Sequence, residues 1–308
     1  MSTNNWTANN IPSQKDKTIL ITGANSGLGL EAATILAGKG AKVVITARNL
    51  SKGNNAVTKI KHKYPKADVE LMLLDLADFD SIKQFSGEFH SKHQQLNVLI
   101  NNAGIMTPPK REITKQNFEA QFGINHLGHF LLTGLLLDIL IKTPHSRIAV
   151  QSSIVHKQKS YGGQIYFDDL NFEKSYNANF AYGQSKLANI LFAYELDRKL
   201  KANKIDTIVT LAHPGVTKTN LQDDFPFLMK FIVNLIAMKA EQGALPILRA
   251  ATEEGLKGSE FFGPTKMGEL KGYPELVKAS DYANNQAIAK KFWDVSANLT
   301  GMNYSFVK

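Results

Sequence analysis

The amino-acid sequence predicts an α/β fold, a doubly wound parallel sheet of about seven strands with helices on both faces. Short β-branched apolar runs alternate with longer helical stretches. The runs are apolar almost throughout, as strands covered on both faces should be. No Pro/Gly/Ser linker, repeat or low-complexity tract divides the 308 residues, so a single domain is expected.

The strands expected in order are Thr18–Thr22, Lys42–Thr46, Val69–Leu74, Asn97–Asn101, Arg147–Gln151 and Asp206–Leu211. A further strand near Glu260–Phe262 would close the edge. Helices over Leu28–Ala37, Ser51–Tyr64, Ser81–His90, Phe118–Ile141 and Ala181–Lys201 lie between them, and such crossovers are right-handed. The expected domain spans 17–308, behind a polar tail over 1–16. Residues 154–179 and 217–239 interrupt the alternation and read as an insertion and a lid on the substrate side, with 264–308 as a C-terminal extension.

Composition narrows the function classes. With 43% hydrophobic and 20% charged residues, the chain can bury a large core and is not a disordered one. Zero cysteines exclude a disulfide scaffold, a thiolate metal site and a cysteine nucleophile. Residues 1–16 hold no apolar segment of a signal peptide or anchor. The most apolar run, Phe225 to Met238, is broken by Lys230 and falls short of the roughly 20 residues a bilayer span needs. The expectation is a soluble, cytoplasmic protein without a transmembrane segment.

The net charge is +9, and it is concentrated. From Ala32 to Ala67 there is no acid, but there are Lys39, Lys42, Arg48, Lys52, Lys59, Lys61, Lys63 and Lys66. Such a patch suits nucleic acid, an anionic membrane surface or a phosphorylated cofactor, or is simply a solvated helix face. No aromatic interleaving or nucleic-acid module accompanies it, so no nucleic-acid partner is expected.

The sharpest local signal follows the first strand: Thr22-Gly23-Ala24-Asn25-Ser26-Gly27-Leu28-Gly29, leading into a helix. Glycines there let the backbone approach a pyrophosphate, and the helix N-terminus adds free N–H groups and positive dipole. Leu30 and Glu31 follow Gly29 where a P-loop needs Lys and Ser or Thr, so a Rossmann-type dinucleotide site is expected. The second strand ends in Thr46-Ala47-Arg48-Asn49, with no acid to grip an adenosine 2′-hydroxyl. Arg48 offers a planar fork of donors for a 2′-phosphate, so the cofactor expected is NADP(H). Asp75 follows the third strand and can accept from an adenine amino group or cap a helix, a role for which Asp78 and Asp80 compete.

A second constellation is Tyr182-Gly183-Gln184-Ser185-Lys186, where i and i+4 share a helix face. A free phenol has a pKa near 10, about 4 kcal/mol too protonated to act as a base at pH 7. A nearby ammonium favours the phenolate, so the pair could exchange a proton with a reacting oxygen. The spacing alone is unspecific, for Tyr304 and Lys308 repeat it at the C-terminus. Its setting adds weight. Ser152-Ser153, Asn101-Asn102-Ala103-Gly104 and His213-Pro214-Gly215-Val216-Thr217-Lys218-Thr219 all end strands at the carboxyl edge, where open α/β sheets bind ligands, and Asn125 lies in the helix after strand four.

In this order the motifs resemble the short-chain dehydrogenase/reductase family over roughly residues 17–255, and FEAQFGINHLGHFLLT and YGQSKLANILFAYELDRKL are similar to its retinol-dehydrogenase-like branch. The resemblance implies Tyr182 as general acid or base, with Lys186 lowering its pKa and holding the nicotinamide ribose. It implies Ser153 on the substrate oxygen, with Ser152 as rival, and Asn125 beside a proton-relay water. Asn101 would stabilise the central strand and line the cofactor cleft. The cofactor-holding set implied is Gly23, Asn25, Ser26, Gly27, Leu28, Gly29, Arg48, Asp75, Leu76, Asn102, Ala103, Gly104, Tyr182, Lys186, Pro214, Gly215, Val216 and Thr219. Residues 1–16 hold no counterpart of the apolar anchor with which membrane-bound retinol dehydrogenases often begin, so carbonyl-reductase or alcohol-dehydrogenase chemistry on an apolar small molecule is expected ahead of retinoid activity.

Other signals are weaker. His126 and His129 have a metal-ligand spacing but no third ligand nearby, and no metal is expected. Asp168 and Asp169 are adjacent, and neighbours in an extended chain point apart. The segment Phe225–Met238 reads as a lid, an oligomer contact or a membrane-surface contact, and a homo-oligomer is left open. The competing reading of the whole chain is a non-catalytic NADP(H) sensor, which would need only the glycine turn.

Overall fold

In the computed structural model, which describes residues 5–217 and 237–307, eight strands form one sheet in the order β3-β2-β1-β4-β5-β6-β7-β8. The strands β1 (Thr18–Ile21), β2 (Lys42–Ala47), β3 (Val69–Leu73), β4 (Val98–Asn101), β5 (Arg147–Gln151), β6 (Ile208–Ala212) and β7 (Phe261–Lys266) are parallel to their neighbours. Strand β8 (Lys271–Leu276) runs antiparallel to β7. The strand expected near 260–262 is therefore not the edge. A hairpin returns the chain as β8, and Pro274 is tolerated there because an edge strand leaves one row of backbone groups unpaired.

Residue alternation along each strand feeds two cores. Ile19 and Ile21 join Val43, Ile45 and Ile100 on one face, while Leu20 joins Val44, Leu99 and Ile148 on the other. Each side chain so buried contributes about 1.5–3 kcal/mol. Helices α1 (Gly27–Gly38) and α2 (Leu50–Lys63) cover the first face through Leu36 and Ile60. The second face is covered by α3 (Phe79–Lys92), by pieces after β4 and by α7 (Ala178–Ala202), through Phe85, Leu131 and Leu187. The short α8 (Ala240–Gly243) leads into α9 (Leu245–Thr252) on the first face, and α10 (Gln286–Thr300) lies on the second.

The single helix expected over Phe118–Ile141 is broken. It consists of α4 (Ala120–Phe122), a π-helical turn over Gly123–Leu127, α5 (Gly128–Leu135) and, after Leu136, α6 (Leu137–Lys142). A π-turn inserts one residue into the helical ladder. Asn125 lies in that turn, and its side chain reaches sideways to the Ile105 backbone.

Residues 6–14 of the polar N-terminal segment are tied to the domain: Ile11 is buried, the Gln14 backbone amide donates to Lys39 O at 2.9 Å, and Trp6 lies 6.0 Å from the Arg249 guanidinium. The C-terminal extension is equally integral. Phe292 packs against Phe122, Trp293 and Tyr304 pack against Phe130, and the Tyr304 hydroxyl donates to Phe130 O at 2.6 Å.

Candidate active site

The strand order reverses between β1 and β4, and a cleft of about 590 Å³ opens at the carboxyl ends of the strands there. The glycine turn forms its floor: Gly23, Asn25, Ser26, Gly27, Leu28 and Gly29 all line it. A Cβ on Gly29 would come 2.5 Å from Asn102 Nδ2 and 2.8 Å from Gly23 O, so only glycine lets α1 approach this closely. Ser26 caps α1 without a side-chain hydrogen bond, leaving the leading N–H groups available to an anion.

Thr22 and His129 lie buried behind the opposite wall. The Thr22 hydroxyl accepts from the Asn102 and Ala103 amides at 2.9 and 3.0 Å and meets His129 Nε2 at 2.8 Å. His129 Nδ1 faces Asn125 O at 3.0 Å, so Nδ1 carries the proton and Nε2 accepts from Thr22. Burial holds this imidazole neutral, with its pKa lowered to about 4. His126 points elsewhere, to Ser296 Oγ at 2.9 Å, stacked between Phe122 and Phe292. The two histidines are thus separate core groups, and neither spacing nor sequence signalled the part His129 plays behind the Asn102–Ala103 turn.

At the end beside β2 and β3, Arg48 and Lys52 line the cleft with Asp75, Leu74 and Leu76. Asn49 caps α2 by accepting from the Lys52 amide at 2.9 Å, which sets both cations around a helix N-terminus. Asp75 is the single carboxylate among the described lining residues, and one of its oxygens accepts from the Ala77 amide. The helix cap is Asp78, not Asp75.

Tyr182, Lys186, Ser152, Gly104 and Pro214 line the other end. Adjacent residues leaving β5 point opposite ways. Ser152 Oγ donates to Lys186 O at 2.8 Å inside the core, while the Ser153 hydroxyl lies on the side of the Tyr182 phenol, near enough to favour its ionised form. Ser153 thus faces the phenol and Ser152 does not. Lys186 Nζ lies 5.6 Å from the Tyr182 ring centre. A Cβ on Gly104 would sit 3.0 Å from Asn125 Oδ1 and 3.3 Å from Lys186 Nζ, so these groups meet behind the Asn102–Gly104 turn. Asn125 spends its amide on Ile105 N, Ile105 O and Ser185 Oγ, at 2.8 to 3.0 Å.

One electrostatic expectation is corrected. The phenol does not end below its ordinary value: burial raises the Tyr182 pKa, and the neighbouring Ser153 hydroxyl offsets only part of that. Desolvation outweighs an ammonium that is itself buried and weakened, for burial pulls Lys186 down to about 8. The phenol of this chain is therefore protonated at neutral pH.

Two further expectations change. Asn101 donates to Thr133 Oγ1 at 2.9 Å inside the core, and the neighbouring Asn102 lines the cleft. In the Pro-Gly loop Pro214 lines the cleft, whereas Gly215 and Val216 lean on the hairpin between β7 and β8, with Val216 N donating to Leu270 O at 2.9 Å. Thr219 and most of the expected lid over 217–239 lie outside the described residues.

The substrate side is apolar. Ile154, Val155 and Tyr182 cluster with Met106, Tyr161 and Leu270, and the Tyr161 ring meets Tyr182 edge-on at 6.3 Å. Gln184, inside the Tyr182–Lys186 motif, stitches the insertion to α7: its Oε1 accepts from Tyr166 N and its Nε2 donates to Leu170 O, both at 2.9 Å. Sequence reading missed Gln184, as it missed Ile105, Ile124 and Gln151 in the cleft wall. Only tertiary contact reveals them.

A dinucleotide cleft at the sheet reversal, with tyrosine, lysine and serine at one end, defines an oxidoreductase of the short-chain dehydrogenase class, and the chain belongs to that family. The family model described as short chain dehydrogenase matches residues 17–167. Retinol dehydrogenase 14 of Homo sapiens is 39% identical over 93% of this chain and 87% of its own length. A protein of known structure from Mycobacterium paratuberculosis is 37% identical, with a TM-score of 0.81 over 98% of this chain and 99% of that one. A short chain dehydrogenase from Shigella flexneri 2a complexed with NADP shares the fold, with 24% identity and a TM-score of 0.63 over 80% of this chain and 95% of its own.

Proposed function

We propose that this protein is an NADP(H)-dependent oxidoreductase that interconverts the carbonyl and alcohol forms of an apolar small molecule. The observation that carries the reading is the pairing of Ser153 with the Tyr182 phenol beside Lys186, at the end of the cleft away from Arg48 and Lys52. The glycine turn and the open end of α1 suit a pyrophosphate. Arg48 and Lys52, at the capped start of α2, suit a 2′-phosphate. When bound, the cofactor supplies or accepts the hydride.

The protein's own part is to orient and to move a proton. Ser153 donates a hydrogen bond to the substrate oxygen, polarising the carbonyl. Tyr182 gives its hydroxyl proton to that oxygen in reduction and takes it back in oxidation. The Lys186 ammonium stabilises the phenolate left behind, and the wall of Met106, Ile154, Val155, Tyr161 and Leu270 desolvates an apolar substrate body. Retinol, for which the human relative is named, is an apolar primary alcohol, in keeping with that wall.

The test is oxidation of NADPH and of NADH by the purified protein across aldehydes and ketones of increasing apolar length. The expected result is turnover with NADPH that exceeds NADH and improves with apolar length. Tight NADPH binding without turnover on any carbonyl or alcohol would instead identify a dinucleotide sensor.

A further inference from the structure

We propose that Glu269 is a positioning residue for this reaction: its carboxylate, on the turn between β7 and β8, clamps the segment that follows Ser153 to the loop that carries Pro214. The inference rests on the reading of the site as a carbonyl–alcohol oxidoreductase.

Glu269 lies between two catalytic-side segments. Its Oε1 is 2.7 Å from Lys157 Nζ, at the end of the 3-10 turn Ile154–Lys157 that Ser153 caps. Its Oε2 is 3.0 Å from Nε2 of His213, the residue before Pro214. The Gly215 amide donates to His213 Nδ1 at 3.3 Å, so Nε2 carries the proton and donates it to Glu269. The His213 side chain is fully buried, edge-on to Phe261, and a Cβ on Gly263 would fall 2.1 Å from its Nε2. The ring therefore has no room to turn, and the Pro-Gly loop inherits its position.

The other arm is equally tied. Lys157 Nζ also donates to Lys278 O at 3.2 Å. The neighbouring His156 donates through Nδ1 to Ser153 O at 2.7 Å and accepts at Nε2 from the Ser280 amide. Leu270, beside Glu269, accepts from Val216 N and packs in the apolar cluster around Tyr182. Residues 269 and 270 thus touch both the serine side and the cofactor side of one site.

The clamp is kept in spite of backbone strain in the turn that carries it. Met267 and Glu269 hold left-handed backbone at φ 55° and 67°. Although burial alone would raise it, the hydrogen bonds from His213 and Lys157 hold the Glu269 carboxyl down at about 2. A partly buried ion pair of this kind gains little over an apolar replacement. What the charged arrangement adds is direction: one carboxylate sets the separation of two loops.

The test compares Glu269→Ala, Glu269→Gln and Lys157→Met with wild type, and with Glu275→Gln on the exposed face of the same hairpin as control. Folding is checked by circular dichroism, and kcat, KM, NADPH affinity and amide exchange at 153–157 and 213–216 are then measured. Glu269→Ala is expected to lose about 10- to 100-fold in kcat, as small misplacements do, with faster exchange in both segments together. Glu269→Gln keeps one acceptor oxygen and sets an NH2 donor against the other partner, so it should recover only part of the loss. Lys157→Met should loosen 153–157 alone, and Glu275→Gln should change nothing. Wild-type kcat in Lys157→Met and in a folded Glu269→Ala would overturn the proposal, whatever the melting temperature. If Glu269→Ala does not fold, wild-type kcat and exchange in Lys157→Met overturn it. If the wild type turns over no carbonyl or alcohol, the reading of the reaction fails. The paired exchange response and NADPH affinity then decide the clamp separately: unchanged values overturn it.

Discussion

Arg48 shows how far a single residue could be read. The absence of an acid after β2 and the presence of a guanidinium pointed to a phosphate, and Arg48 does line the cleft beside Lys52. Arg48→Ala should weaken NADPH binding about 10- to 100-fold while changing NADH little, as charge-assisted bonds to a phosphate require. Titrating both cofactors against both proteins checks this, and equal losses would show that Arg48 does not read the phosphate. The choice between Ser152 and Ser153 was not legible, because it depends on which way β5 presents its last residues. Nor was the raised Tyr182 phenol, since the lysine four residues on is visible in sequence but the depth of burial that outweighs it is not.

At the scale of elements, β1 to β6 were legible within a residue or two, because short apolar runs have few other uses in a chain of this composition, while β7 runs four residues past its expected end. The break after β4 was not, for GINHL carries no proline and packs like any buried helix. The hairpin strand β8 was missed because KGYPEL holds a glycine and a proline, acceptable only at an edge. Helix α7 and the insertion meet without clearance: a Cβ on Gly183 would fall 1.9 Å from Tyr161 O. Gly183→Ala should therefore push the Lys159–Tyr161 turn off the helix and lower kcat/KM for apolar carbonyls at least about tenfold. NADPH affinity, set at the far end of the cleft, should stay near wild type. A matching loss of NADPH affinity in the same titration would contradict that division.

For the whole molecule, the parallel order and its reversal between β1 and β4 place the site where alternation of strand and helix said it should be. Burial also shapes stability against pH. The pKa values of His93, His126, His129, His156 and His213 are lowered by burial, His126 to about 3 and His129 and His156 to about 4. The unfolded chain binds those protons first, from about pH 6.5 downward, so their contribution is complete above that pH and is lost as pH falls. Each fully depressed histidine adds a slope approaching about 1.4 kcal/mol per pH unit. His90, raised by its bonds to Ser86 and Asp138 in spite of burial, opposes them, as do the carboxyls of Glu31 and Glu119, which burial raises. The melting temperature should thus rise between pH 5 and 6.5 and level above it, with a shallower rise in His126→Phe. A flat profile across that range would contradict the burial of these rings.

The central claim is that the Tyr182 hydroxyl delivers the proton while the rest of the cleft holds the cofactor. The most direct measurement is single-turnover oxidation of bound NADPH by a carbonyl substrate in wild type and Tyr182→Phe, with NADPH affinity measured in both. The account predicts unchanged affinity and a loss of roughly 100-fold or more in the rate, within the range general acids supply. Wild-type turnover in Tyr182→Phe would contradict it.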